Sequence, residues 1–190
     1  PVYVKPEIDK ELGVALNLSA KSIEEVEFTE WTRVFNANIH STFLCSKEAI
    51  KIMKAQQPMG GRIINNASIS ALTPRLYTAP YTASKHAVTG LTKAISLDCR
   101  KFNIACGQIN IGNAETTLSF SAISVVGTAE RTDISSSNRA ISRIAFTPIA
   151  IWLNVADVAA TIQMMAQLPV TTNVLEITIM ANNMPYVGRG

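Results

Sequence analysis

Three short β-rich runs, Arg62-Ile-Ile-Asn-Asn, Ile104-Ala-Cys-Gly-Gln-Ile and Val174-Leu-Glu-Ile-Thr-Ile-Met180, are separated by long stretches whose apolar residues recur at helical spacing. Strands so far apart are joined by crossover helices rather than hairpins, and the outcome is a parallel sheet covered on both faces. The alternation therefore predicts an α/β chain with three layers, α/β/α. Residues 30–55 read as one long helix, with Trp31, Val34, Phe35, Phe43, Ile50 and Met53 as its apolar positions and Pro58 and Gly60-Gly61 to stop it. Further helices are predicted over 81–102 and 156–168. Between 117 and 150 the pattern dissolves into Ser, Thr and small apolar residues, which reads as a substrate loop or lid. With 47% hydrophobic residues over 190 positions, one domain spanning 1–190 can bury a sizeable core.

Charge and cysteine usage exclude several classes of function. The net charge is +3, but the 17 basic residues are scattered and their longest cluster is Arg100-Lys101, so no basic stripe faces a phosphate backbone and nucleic acid is not an expected partner. No apolar run approaches the ~20 residues that span a bilayer, and the first residues lack the charged-then-apolar pattern of a signal peptide, so a membrane is not expected either. Cys45, Cys99 and Cys106 are an odd number without metal-ligand spacing. They read as small buried groups in a reducing compartment, which makes the cytoplasm the expected location and leaves no metal site.

The chemistry centres on Tyr81 and Lys85. Four apart near the start of a helix, they project from one face and can meet the same small ligand. Alone, such a pair is more often a half-buried ring beside a solvated amine. The surrounding run, Pro80-Tyr-Thr-Ala-Ser-Lys-His-Ala-Val-Thr-Gly90, closely resembles the signature of the short-chain dehydrogenase/reductase family, in its classical type. Upstream, Gly61-Arg-Ile-Ile-Asn-Asn-Ala-Ser-Ile-Ser70 is similar to the family's strand that ends in a catalytic serine. The family's spacing of thirteen positions before the tyrosine selects Ser68 over Ser70. Reactive groups in open parallel sheets also gather at the carboxyl ends of strands. Asn36-Ala-Asn-Ile-His-Ser-Thr-Phe43 resembles the helical segment that supplies a fourth polar group, at Asn38. An asparagine inside an apolar helix is mildly unfavourable, so some compensation is expected there.

Two segments resemble the cofactor side. Asn110-Ile-Gly-Asn-Ala-Glu-Thr116 stands where the family has Pro-Gly-x-x-x-Thr, with Ile111 replacing the proline and Gly112 and Thr116 kept. A glycine there would let backbone groups approach a nicotinamide. Asn17 is the one retained residue of a strand end that the family writes Asn-Asn-Ala-Gly. The resemblance covers nearly the whole chain, most strongly over 31–116. It implies a Rossmann-type doubly wound sheet, NAD or NADP as cofactor, and a small carbonyl or secondary alcohol as substrate. A homodimer or homotetramer is implied too, and both long helices are apolar around more than one stripe. Tyr81 would be general acid in reduction and base in oxidation. Lys85 would favour the phenolate and bond the nicotinamide ribose, Ser68 would donate to the substrate oxygen, and Asn38 would hold a water that relays protons to Lys85. Contacts to the cofactor would come from Asn17, Tyr81, Lys85, Ile111, Gly112, Ala114 and Thr116. His40 and His86 read as structural.

The largest departure from the family pattern lies in one region. The glycine-rich turn that cradles the pyrophosphate does not occur in the sequence. Val2-Tyr-Val-Lys-Pro-Glu-Ile-Asp9 resembles the third family strand, with Glu7 near the adenine, and Val14-Ala-Leu-Asn17 the fourth. Only 10–13 separate them, whereas parallel neighbours need a crossover of roughly ten residues or more. The expectation is that residues of the N-terminal βαβ portion are not represented, before Pro1 and within 9–12. An alternative reading is a non-catalytic Rossmann-fold binding or assembly protein that has lost its phosphate turn. Four polar groups kept in register at Asn38, Ser68, Tyr81 and Lys85 weigh against it.

Overall fold

The computed structural model describes residues 21–115, 152–184 and 186. Asn17, Thr116, the expected loop over 117–150 and the link over 9–12 lie outside the described residues.

Three strands, β1 (Gly61–Asn66), β2 (Ile104–Ile111) and β3 (Glu176–Ile179), form a parallel sheet in the order β1-β2-β3. Gly61 stands opposite Ile104, and Ile111 opposite Ile179. The helices are α1 (Phe28–Phe35), α2 (Ser41–Ala55), α3 (Ala79–Asp98) and α4 (Val155–Gln167). A π-helical turn, Asn36–His40, joins α1 to α2, so the long helix expected from periodicity forms with one irregular turn inside it.

The period-two alternation of the strands divides the core into two halves. Ile63, Ile104 and Cys106 pack with Ile95 and Cys99 from the region of α3, beside Ala49, Ile50 and Met53 of α2. On the other face Ile109 packs with Leu153 and with Val158 and Met165 of α4, flanked by Ile64, Ile111, Ile177 and Ile179. The three-layer expectation is met: helices lie on both sides of a parallel sheet. β2 is central and is buried from Ile104 to Asn110.

A strand buried on both faces usually reads as a continuous apolar run, yet β2 carries Gln108 and Asn110. Their amide N–H groups are held by side chains beneath α3 and beside β3, whereas Gln108 Oε1 has no partner among the described residues. Gln108 Nε2 donates to Thr89 Oγ1 (3.0 Å) and to Asn110 Oδ1 (2.9 Å), and Asn110 Nδ2 donates to Glu176 Oε1 (2.7 Å). Asn65 Nδ2 similarly donates to Thr92 Oγ1 (2.9 Å). Such bonds offset the cost of burying amides, about 1–3 kcal/mol for each unpaired group.

Close approaches fix the edges of the sheet. Gly107 lies under the Val174 carbonyl, where a Cβ would come within 1.9 Å of the oxygen. Arg62 Nη2 donates to the carbonyls of Leu168 (3.1 Å), Pro169 (2.8 Å) and Thr172 (2.7 Å), tying the end of α4 to β1. At the start of α4, Asn154 accepts from the Ala156 N–H at 2.8 Å as an N-cap. Two expectations about burial fail on α2: Cys45 and Phe43 are both exposed, because that helix turns them away from the sheet.

Candidate active site

The site forms at the carboxyl end of β1. Ala67 N–H donates to Ile109 O at 2.9 Å, so pairing with β2 persists one residue beyond the strand before the chain turns. Ser68, in extended conformation (φ −158°, ψ 157°), caps the 3₁₀ turn Ile69–Ala71. Its Oγ accepts from the Ser70 N–H at 3.1 Å, and its carbonyl accepts from Ala71 N–H at 2.8 Å. Accepting on Oγ leaves the hydroxyl proton free, and the Ser68 side chain is close enough to the Tyr81 phenol to favour its ionised form. Its oxygen thus satisfies a turn while its side chain also acts on the tyrosine. Ser70 is also buried, and its Oγ has no hydrogen-bond partner among the described residues.

Helix α3 presents Tyr81 and Lys85 to this edge. Pro80 sits in its first turn, where no N–H is needed. Its buried residues include Tyr81, Ser84, Lys85, Val88, Thr92 and Ile95, one stripe at helical spacing that faces the sheet. Lys85 Nζ donates to Asn66 O at 3.1 Å and lies 5.6 Å from the centroid of the Tyr81 ring. The structure thus brings Ser68, Tyr81 and Lys85 together at one strand end.

Burial sets the proton affinities. It lowers Lys85 from 10.5 to about 8, because an ammonium out of water is disfavoured. It raises the Tyr81 phenol above 10.0, with the Ser68 side chain and the Arg75 guanidinium pulling the other way. The direction is opposite to that expected for a tyrosine beside a lysine. Removal of the phenol from water outweighs the neighbouring groups that favour its anion.

Asn38 is buried in the π-helical turn, which packs against α3. The compensation expected for an asparagine there is visible: Nδ2 donates to Val34 O at 3.1 Å, and Asn38 O accepts from Thr42 Oγ1 at 2.7 Å. π-Helical turns of this kind are frequent at functional sites.

Ile111 is the last residue of β2 and Gly112 and Ala114 follow it, on the same edge as Ser68 because the strands run parallel. Gly112 N–H donates to Ile179 O at 2.8 Å, and a Cβ on Gly112 would approach Met180 Cβ to 2.9 Å and Met184 Sδ to 3.2 Å. Packing against Met180 and Met184 thus supplies a reason for glycine that the motif did not indicate. Ala114 bridges Leu153, which ties this turn to the start of α4. His40 and His86 are exposed and bonded within their own helices, to Asn36 Oδ1 (2.6 Å) and Thr82 O (2.9 Å). Sequence reasoning missed the Asn66 carbonyl that receives Lys85. It also missed a contact between Thr73 and Tyr186, which are 113 positions apart and share no motif. Among the described residues no group of His, Cys, Asp and Glu could hold a metal ion, and no helix is long and apolar enough to cross a membrane.

Residues 13–124 match the family model described as short chain dehydrogenase. A 3beta-hydroxysteroid dehydrogenase of Mediterraneibacter gnavus is 39% identical over 112 residues, covering 56% of this chain and 40% of that relative. Among solved structures, an acetoin dehydrogenase YohF of Salmonella typhimurium is 25% identical with a TM-score of 0.63, over 84% of this chain and 57% of that one. ElxO with NADP bound is 27% identical with a TM-score of 0.59, over 82% and 59%. The chain spans about two fifths of the length of the curated relatives it matches.

Proposed function

The chain belongs to the short-chain dehydrogenase family, and from that premise we propose that it moves a hydride between NAD or NADP and a small carbonyl or secondary-alcohol substrate, with Tyr81 exchanging the proton. The observation that carries the reading is the convergence of three groups at the end of β1: Lys85 bonded to the Asn66 carbonyl and lying beside the Tyr81 ring, with the Ser68 side chain acting on the same phenol. The similar proteins named for 3β-hydroxysteroids and acetoin act on carbinol carbons, and one similar structure holds NADP.

The residues present fit the nicotinamide end of such a cofactor. An ammonium has three N–H donors, and Lys85 spends one on Asn66 O. The other two suit the paired hydroxyls of a ribose, and the Ile111, Gly112 and Ala114 turn lies on the same edge of the sheet. The nicotinamide supplies the hydride when bound. Tyr81 gives its proton to the substrate oxygen in reduction, and burial suits it to that task by keeping the phenol protonated at neutral pH. In oxidation the Lys85 charge stabilises the phenolate that forms. Ser68 donates to the same oxygen as negative charge grows on it. Asn38 holds a water between solvent and Lys85.

In the same reading, the chain forms a single domain and the protein works in the cytoplasm as a homodimer or homotetramer. Support for assembly is apolar surface on the long helices: Phe43, Leu44 and Ile52 on α2 and Leu97 on α3 are exposed.

Tyr81→Phe tests the proposal, since it deletes one hydroxyl and preserves the packing of the ring. Turnover across a panel of carbonyl substrates is expected to vanish while cofactor affinity, titrated by fluorescence, stays within a few fold. Near wild-type turnover in the variant would overturn it.

A further inference from the structure

We propose that Tyr186 is a positioning residue: through Thr73 it holds the turn that carries Ser68 and couples it to the Gly112 turn across the mouth of the site. Thr73 Oγ1 lies 3.3 Å from the Tyr186 hydroxyl, and both residues are partly buried. Thr73 belongs to the same hydrogen-bonded unit as Ser68. Its N–H and that of Leu72 both donate to Ile69 O, at 2.9 and 3.0 Å, while Ser70 N–H and Ala71 N–H return to Ser68. A restraint applied at Thr73 therefore acts on the serine. Beyond it the chain runs exposed through 74–77, with Leu76 79% exposed and Tyr77 in the left-handed region at φ 59°. Thr73 is thus the last residue of the turn that a partner holds before this exposed run.

The other end of the strap is anchored on the cofactor side. Tyr186 N–H donates to Met184 O at 2.8 Å, and Met184 N–H to Ala181 O at 2.9 Å. Met184 is buried against Gly112, whose N–H is bonded to Ile179 O. One short segment thus touches the turn after β1 and the turn after β2, the two places where serine and cofactor contacts would meet. A donor aimed at a developing oxyanion acts only if it is held in place, so slack in the serine turn is expressed as lost turnover.

The inference rests on the proposed reaction for its activity readout alone, so hydrogen exchange on the full chain is measured beside turnover. Tyr186→Phe is expected to speed exchange of the amides over 69–73 by about three- to tenfold, the loss of one neutral hydrogen bond, with the β1 amides unchanged. The kcat is expected to fall by a similar factor, with the KM for cofactor unmoved. Thr73→Val should reproduce both effects, Thr73→Ser should restore wild-type behaviour, and the double variant should be no worse than either single one. Unchanged exchange in Tyr186→Phe, or additive losses in the double variant, would overturn the strap whatever Tyr81→Phe does. If exchange responds while Tyr81→Phe still turns over, the strap stands and the reaction assigned to the site falls.

Discussion

Replacing Lys85 by methionine should remove a pH dependence of stability that the wild-type chain carries. Burial lowers Lys85 from 10.5 to about 8, so between those values the unfolded chain holds a proton that the folded chain has released. Stability then rises with pH: below pH 8 the folded state bears the full cost of a buried ammonium, and above pH 10.5 it bears none. A gap of about 2.5 units, at about 1.4 kcal/mol each, sets that cost at about 3.5 kcal/mol. Roughly 1 kcal/mol of it is relieved between pH 7 and pH 9. Groups with raised values act in the opposite sense. Tyr81, held above 10.0, and Cys106, pushed up to about 12, lose stability as pH climbs through their unfolded-state values. Both are present in wild type and variant, so the difference between the two proteins isolates Lys85. Methionine keeps most of the apolar stem, which limits the loss of packing. Urea unfolding followed by circular dichroism at pH 7 and pH 9 is expected to show wild type gaining about 1 kcal/mol on the variant over that interval. Parallel responses would refute the burial of the ammonium and with it the contact to Asn66 O.

The two serines should separate sharply. Ser68→Ala is expected to cost ~10²–10³ in turnover. Ser70→Ala removes a buried hydroxyl without a described partner, so it should leave turnover intact and stability unchanged or higher by up to about 1 kcal/mol; equal losses of turnover at both positions would contradict the spacing argument. Gly107→Ala drives a Cβ to within 1.9 Å of Val174 O and should destabilise by about 2 kcal/mol or more, so an unchanged thermal midpoint would show that β3 can retreat freely. Leu44→Glu together with Leu97→Glu should lower the mass seen by light scattering if these exposed residues are covered by a second copy, and a wild-type chain that is monomeric at micromolar concentration would contradict assembly itself.

The three-layer fold was legible because strand and helix periods differ and each is local. Residues 62–66 and 104–109 are short runs that each carry two isoleucines between turn signals, and both form strands. The strand expected over 104–109 extends in fact to Ile111, and asparagine at 110 hid that extension because it is disfavoured in strands. Its side chain is accepted there because Glu176, more than sixty positions away, receives its N–H. The run read over 174–180 contracts to Glu176–Ile179 for a related reason: the Val174 carbonyl closes over Gly107 at the point where pairing with β2 has not yet begun. Neither contact leaves a trace in the local pattern. The π-helical turn at Asn36–His40 was half legible, since asparagine in an apolar helix announced a compensation but not that the helix would widen to make it.

The site itself was legible as a set of positions and illegible as an electrostatic environment. A tyrosine and a lysine four apart would be spaced identically on a helix face turned to water, where the ammonium would keep its charge up to its ordinary value. What changes their chemistry is the stripe they share. Ser84 and Thr92 are polar residues at the interface with the sheet, and each returns its hydroxyl proton to its own helix, Ser84 to Tyr81 O at 2.8 Å and Thr92 to Val88 O at 2.8 Å. Neither therefore demands water at the interface. Small residues bonded in this way let α3 lie close enough to β1 for Lys85 to reach a strand carbonyl, and that closeness excludes the solvent which would otherwise stabilise both charges. The same packing that positions the pair thus lowers the affinity of Lys85 for its proton and raises that of Tyr81. It follows that enlarging Ser84 should perturb both groups together, because a bulkier residue there would lift α3 from the sheet and readmit water to the whole site.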